Sequence, residues 1–286
     1  MESPTVRLLR LLDLEDIDLN IFRGYSPKEM GSRIFGGQVL AQALVAAGRT
    51  VDVPAMVHSM HAYFLRPGDP QVPILFEVDR SRDGRSFISR RVVAIQHGKQ
   101  IFHTSVSFQV EEGGLEHQSA MPVVPAPQDL PSWLEVFEPY KDKISWYEQQ
   151  TALDFRYVEP VLLEAENPPQ PPVWRVWFRL GGTVPDDHLL HCALAAYASD
   201  MILLDTTVRA HGIGWFGQSL VSATLDHAMW FHRRFRIDDW VLFDLASPST
   251  SGARGLATGS MFTRDGVLAA SMAQEGLIRR ISRTES

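Results

Sequence analysis

Cysteine is almost absent from this chain: Cys192 is the single one in 286 residues. One thiol excludes an intrachain disulfide and any cysteine-built metal cluster. Its setting, the apolar run "LLHCALAAYA", predicts a buried and inert side chain and not a nucleophile. Long apolar runs are scarce too, and none is expected to reach the ~20 residues that span a membrane. The opening stretch "MESPTVRLLRLLDLEDIDLN" places acids where a signal peptide needs an apolar centre, and "SRTES" differs from a Ser-Lys-Leu peroxisomal signal. The expectation is a soluble, cytoplasmic protein. Positive charge is in deficit as well. Lys and Arg number 27 against 34 Asp and Glu, a net charge of −7, which speaks against a nucleic-acid partner. Also missing are the Gly-Xaa-Ser-Xaa-Gly nucleophile elbow, the phosphate-cradling Walker loop and the dinucleotide fingerprint.

What is present is ordinary globular material, 45% hydrophobic and 21% charged, enough for one large domain or two small ones. The densest cluster of chain breakers runs from Glu111 to Trp133, and "ENPPQPPVW" makes a shorter break. On either side of the long break the chain repeats itself. The first half offers a helical segment, "SRIFGGQVLAQALVAAGRTV", then "HSMHAYFLRPGDP", then strands "ILFEVD", "FISRRVVAIQ" and "KQIFHTSVSFQ". The second half offers "DHLLHCALAAYASDMILLDTT", then "TLDHAMWFHRRF", then "WVLFDLA", "ARGLATGSMFT" and "VLAASMAQEG". Asp83-Gly84, His97-Gly98 and Asp265-Gly266 mark hairpin turns.

The same order twice predicts two copies of one small α+β domain, each a long helix on an antiparallel sheet. The expected division is a repeat over 1–110, a linker over 111–150 and a second repeat over 151–286. "HAYF" at His61 and "HAMW" at His227 set the register between the halves. Two sheets joined edge to edge would wrap both helices, which accounts for their apolar character on nearly every side.

Asp200 stands in the apolar run "AYASDMILL", on a face shared with Ala193, Tyr197 and Leu204. An unpaired buried carboxylate is costly, so Asp200 has either a structural partner or a chemical task. Asp205 reads as a solvated charge at the helix end. Gln274 alternates with Leu268, Ala270 and Met272 and shares their apolar face, although a strand-end amide can also reach solvent. Thr224 alone is an ordinary strand residue. His227 and His232 lack the partner spacing of a metal site and read as core or edge histidines. "FGGQ" at Gly36–Gly37 can bring a carbonyl oxygen to backbone amides at a helix start. Arg80, Arg82, Arg85, Arg90 and Arg91 crowd one hairpin, either as a solvated edge strand or as phosphate contacts.

The strings "IFGGQVLAQAL", "HSMHAYFLRPGDP", "RDGRSFISRRVVAIQHG", "YASDMILLDT", "ATLDHAMWFHR" and "MAQEG" together resemble the acyl-CoA thioesterase II (TesB-type) family. They are collinear with it from about Arg33 almost to the C-terminus. The resemblance implies a double hotdog fold and hydrolysis of fatty acyl-CoA to free acid and CoA, without metal or covalent cofactor. It also implies a catalytic set of Asp200, Thr224 and Gln274, and assembly as dimers or larger. A carboxylate on a helix can take a proton from water while Thr224 and Gln274 aim that water at the thioester carbon. The expected substrate contacts are Gly36 and Gly37, His58 (matched to Thr224 in the His61–His227 register) and Arg85. The first helix holds no acid, so one working site per chain is expected. Two rivals remain: a hotdog enoyl-CoA hydratase and a non-catalytic acyl-CoA binder. "AAYASDMILL" offers the hydratase no histidine beside Asp200, and the intact Asp–Thr–Gln set opposes the binder.

Overall fold

The computed structural model describes residues 2–27, 32–143, 152–214, 216 and 220–280. The first half holds α1 (Pro4–Leu12), β1 (Glu15–Asp18), β2 (Ile21–Gly24) and α2 (Gly36–Gly48). It continues with β3 (Ala55–Phe64), β4 (Ile74–Asp83), β5 (Phe87–Gln96) and β6 (Lys99–Val110). A short helix, α3 (Trp133–Phe137), precedes the second half. There follow β7 (Leu153–Tyr157), β8 (Val173–Leu180), α4 (His188–Ser199) and a 3-10 helix over Leu204–His211. The chain closes with β9 (Leu220–Phe231), β10 (Val241–Ser251), β11 (Arg254–Thr263) and β12 (Leu268–Arg280).

Among the described residues, twelve strands join one antiparallel sheet in the order β1-β2-β4-β5-β6-β3-β9-β12-β11-β10-β8-β7. The two halves are therefore alike strand for strand and meet where β3 pairs with β9. Inside the curve of the sheet α2 packs against α4. Every residue of α2 from Gly37 to Ala47 is buried, as a helix apolar on all sides requires. The hairpin signals hold: His97 and Gly98 both take positive φ, 50° and 67°, the geometry a two-residue hairpin turn needs.

Five expectations are corrected. Each half has six strands, not four, because β1 and β2, and likewise β7 and β8, precede the helices. The second helix ends at Ser199 and not near Thr207, so Asp200 is its C-cap. Ser199 Oγ bonds back to the carbonyl of Ala196 at 2.9 Å, a side-chain bond that competes with further helix. The Pro-rich stretch is not bare linker: Met121, Val124 and Leu130 cover Trp177, Leu242 and Phe262 on the outer face of the second half-sheet. Trp177 Nε1 donates to the Pro125 carbonyl at 3.0 Å. Residues 144–150 of that stretch and the terminal "SRTES" lie outside the described residues. His188–His211 does have the length and apolarity of a membrane crossing, yet 61% of its apolar window is buried in the core.

The fifth correction concerns register. At the junction Ser59 faces Trp230, His61 faces Ala228 and Tyr63 faces Asp226. Each of the two strands carries one bulge, with His58 extra between Val57 and Ser59 and Leu225 extra between Thr224 and Asp226. The internal two-fold thus passes through the His61–Ala228 pair and relates Met60 to His227 and Val57 to Thr224. The register read from "HAYF" and "HAMW" is one residue out. A one-residue slip exchanges the two faces of a strand, and burial agrees: Met60 and His227 point inward while His61 points out.

Candidate active site

Three elements converge at the end of α4. Its C-cap delivers Asp200, β9 delivers Thr224, and the neighbouring β12 delivers Gln274 from the inward face predicted for it. Thr224 Oγ1 donates to Asp200 Oδ1 at 3.1 Å, and Gln274 Nε2 donates to the same oxygen at 2.6 Å. Gln274 Nε2 also lies 2.8 Å from Thr224 Oγ1, which closes the three side chains on one another. The Gly37 N–H, at the start of α2, faces the carboxylate and favours its ionised form as well. A Cβ on Gly36 would stand 2.6 Å from Asp200 Oδ2, so glycine is what lets the helix start approach so closely.

The Asp200 side chain is 5% exposed. Burial raises its pKa from 3.8 to about 6, and the bonds from Thr224, Gly37 and Gln274 pull part of the way back. His227 lies beside it, with Nδ1 3.9 Å from Asp200 Oδ1 and Nε2 3.0 Å from Ser199 Oγ. Burial lowers the His227 pKa to about 3, so the ring is neutral at neutral pH. The acceptor oxygen of Gln274, Oε1, is buried and bonded to nothing among the described residues. A buried acceptor without a donor is a costly arrangement unless something is brought to it.

Past Thr224 the inward face of β9 continues to Ser222 and Leu220, opposite Ile278 on β12. These residues floor a cavity of 410 Å³, roofed by Met201 and Leu204 and backed by Trp174. That volume lies within the roughly 300–1,000 Å³ of small-molecule pockets.

The structure gathers Asp200, Thr224, Gln274, Gly36 and Gly37, and leaves His58 and Arg85 elsewhere. His58 bonds Ser107 Oγ at 2.8 Å and packs edge-on to Phe87. Val106 and Phe108, on either side of Ser107, point to the helices, so His58 lies on the opposite face. Arg85 is exposed on the β4–β5 turn. The arginine-rich hairpin is an edge only in part: β2 pairs with β4 over Ile74–Glu77 and stops short of Arg80 and Arg82, whereas β5 lies between β4 and β6. Arg90 is buried, bonded to Thr50 Oγ1 at 2.8 Å and Asp83 Oδ1 at 2.5 Å. Asp205 lies in the first turn of the 3-10 helix and is half-buried along the cavity, and not a freely solvated charge. Cys192 is buried and its thiol is pushed well up, so it is no nucleophile. His227 is the core histidine that the sequence offered, but its place behind Asp200, and that of Ser199, had no signal, because only the β9–α4 contact shows it.

Comparison with known proteins agrees with this architecture. Residues 26–109 match the family model "Acyl-CoA thioesterase N-terminal domain", and residues 169–277 match "Acyl-CoA thioesterase". Acyl-CoA thioesterase 2 of Haemophilus influenzae is 40% identical over 95% of this chain and 96% of its own. Acyl-coenzyme A thioesterase 8 of Rattus norvegicus is 40% identical over 96% of this chain and 89% of its own. The crystal structure of an acyl-CoA thioesterase II from Mycobacterium marinum superposes with a TM-score of 0.79 at 44% identity, covering 95% of this chain and 98% of that one. A hot dog fold protein from Alicyclobacillus acidocaldarius, 19% identical with a TM-score of 0.77, supports the fold alone. This chain is a double hotdog thioester hydrolase and belongs to the acyl-CoA thioesterase family.

Proposed function

We propose that the chain hydrolyses fatty acyl-CoA to free acid and CoA, with Asp200 as general base for a water that Gln274 and Thr224 help to hold. The observation that carries this reading is the free acceptor end of Gln274 beside a buried carboxylate. A water donating one hydrogen to Gln274 Oε1 and the other to Asp200 has a lone pair left for the thioester carbon. Asp200 takes the proton as the C–O bond forms, and returns it to the CoA sulfur as the C–S bond breaks. Thr224, which donates to Asp200 and accepts from Gln274, keeps both at the required angle. The backbone at Gly36–Gly37 supplies the donors for the oxyanion: once Asp200 is neutral, the Gly37 N–H is held less tightly and can turn to the new negative charge. The 410 Å³ cavity past Thr224 receives the acyl chain.

The hydratase reading gains a histidine near Asp200 that the sequence did not offer, namely His227. Its ring is enclosed by protein, tied to Ser199 and uncharged, so it makes no contact with a substrate. Thiol release from saturated acyl-CoAs of increasing chain length tests the proposal, because a hydratase has no double bond to act on there. Release that disappears in Asp200→Asn supports it. Release unchanged in that variant overturns the role of Asp200, and none from any saturated substrate overturns the hydrolysis itself.

A further inference from the structure

The two-fold that relates the halves relates their cavities as well. Leu220, Ser222 and Thr224 on β9 correspond to Val53, just ahead of β3, and to Ala55 and Val57 on it, given the paired bulges. Those three first-half residues line a second cavity, of 270 Å³, between the end of α2 and the start of α4. Gly48 and Leu189 close it where the helices touch, and Phe108 walls it on the sheet side.

Every catalytic group has been replaced on this side. Val57 stands for Thr224, Val106 for Gln274 and Met60 for His227, all inward and buried. The C-cap of α2, equivalent to Asp200, is Arg49, whose guanidinium turns away to the Leu14 carbonyl and the Asp13 carboxylate. The acids that do line the cavity are held elsewhere: Asp187 caps the Leu189 N–H at 2.9 Å, and Glu111 is exposed beside Arg234. What survives is an apolar pocket with charge only at its mouth. His188 adds a buried Nδ1 that meets no partner among the described residues. The Arg234–Glu111 contact is long, 3.4 Å, and both side chains are over 60% exposed, so it holds Arg234 weakly.

We propose that this cavity is a second, non-hydrolytic acyl site, which takes a fatty-acyl chain among Val51, Val53, Ala55, Val57 and Phe108 and its anionic head at Arg234. The inference rests on the acyl-CoA reading of the catalytic site and assigns the first repeat a binding role without chemistry. The head is either a free carboxylate or the phosphates of CoA, chemistries that Arg234 meets alike.

The test is calorimetric titration of the wild-type chain with S-dodecyl-CoA, a thioether with no carbonyl to hydrolyse. Two molecules bound per chain are expected, falling to one in Ala55→Trp while turnover of dodecanoyl-CoA is unchanged. Val53→Trp fills the same cavity from a position 47% exposed and serves if Ala55→Trp does not fold. Arg234→Ala should weaken the second site severalfold without changing the first. One molecule per chain, or two unaffected by both tryptophan variants, overturns the second site and leaves the catalytic reading standing. No binding at all overturns both readings. Parallel titration with dodecanoate identifies the head. Binding lost in the same variants assigns the carboxylate, and binding of S-dodecyl-CoA alone assigns the phosphates.

Discussion

A carboxyl with ordinary acidity loses its proton near pH 4, but Asp200 is too deeply enclosed to do so and holds it to about pH 6. Turnover that depends on the ionised form should therefore rise through about pH 6 as one ionisation, and His227, at about 3, does not titrate in that window. The stability consequence has the opposite sign. The folded state keeps a proton that the unfolded chain releases near 3.8, so stability is greatest below that value and falls as pH rises to about 6. At pH 7 the ionised form costs about 3 kcal/mol. Asp200→Asn removes that cost and keeps an acceptor for Thr224 and Gln274. It should gain on the order of 1–3 kcal/mol in urea unfolding at pH 7, less at pH 4, while kcat drops ~10²–10⁴-fold. Equal stability of the two proteins at pH 7 would show that Asp200 is not strained in its site. Gln274→Ala should lower kcat more than it raises KM, because the amide places water and does not grip the substrate. Steady-state kinetics on one saturated acyl-CoA decides it, and a pure KM effect would move Gln274 into the acyl channel.

At the scale of elements, the sheet is held in place by groups that look like surface residues in the sequence. Arg90 sits 1% exposed in the interior of the first half-sheet, where it bridges β5 to Thr50 at the end of α2. Arg90→Leu leaves the Thr50 carbonyl and hydroxyl without their donors and should cost about 2–4 kcal/mol, read from the urea midpoint at constant slope. A loss under 0.5 kcal/mol, the range of ordinary surface changes, would make the bridge incidental. Alternation puts Arg90 and Arg91 on opposite faces, but both faces of "FISRRVVAIQ" carry apolar residues, so nothing in it says which one the helices cover. The hairpins were legible because their turns are local chemistry, and Gln274 was legible because strand alternation is local geometry. By contrast β1, with four exposed acidic or apolar residues, has no pattern to read. The end of α4 was hidden because the local Ser199–Ala196 bond is only part of its cause, and the contacts that fix Ser199 and Asp200 there come from His227, Thr224 and Gln274, far away in sequence. The proposed catalytic set was legible mainly as family motifs; physics alone showed only that Asp200 and Gln274 were out of place.

At the scale of the molecule, duplication raises the question of how many sites work. Two copies of a fold related by a two-fold supply two helix ends and two pairs of inward strands. If both ends carried the chemistry, removing one base would leave about half the activity. The one-residue correction of the register makes the answer sharper than the sequence allowed. The twin of Thr224 is Val57, an apolar buried residue, and not the polar His58, which faces away from the helices. With Val106 for Gln274 and Arg49 for Asp200, the first half has no base and no side chain to hold a water. Its contribution to the proposed site is the start of α2, where the Gly37 N–H faces Asp200 and Gly36 allows the approach. The proposed site is thus composite: the proposed base, hydroxyl and amide come from one repeat and the helix N-terminus from the other. Asp200→Asn should accordingly leave no more than about one-hundredth of wild-type kcat, the lower bound for losing a general base. Gly36→Ala should also impair kcat severely although it alters the other repeat, because its Cβ would meet the carboxylate. Half-maximal activity in Asp200→Asn would require a second base in the first repeat and end the one-site description, and full activity in Gly36→Ala would take the start of α2 out of the working site.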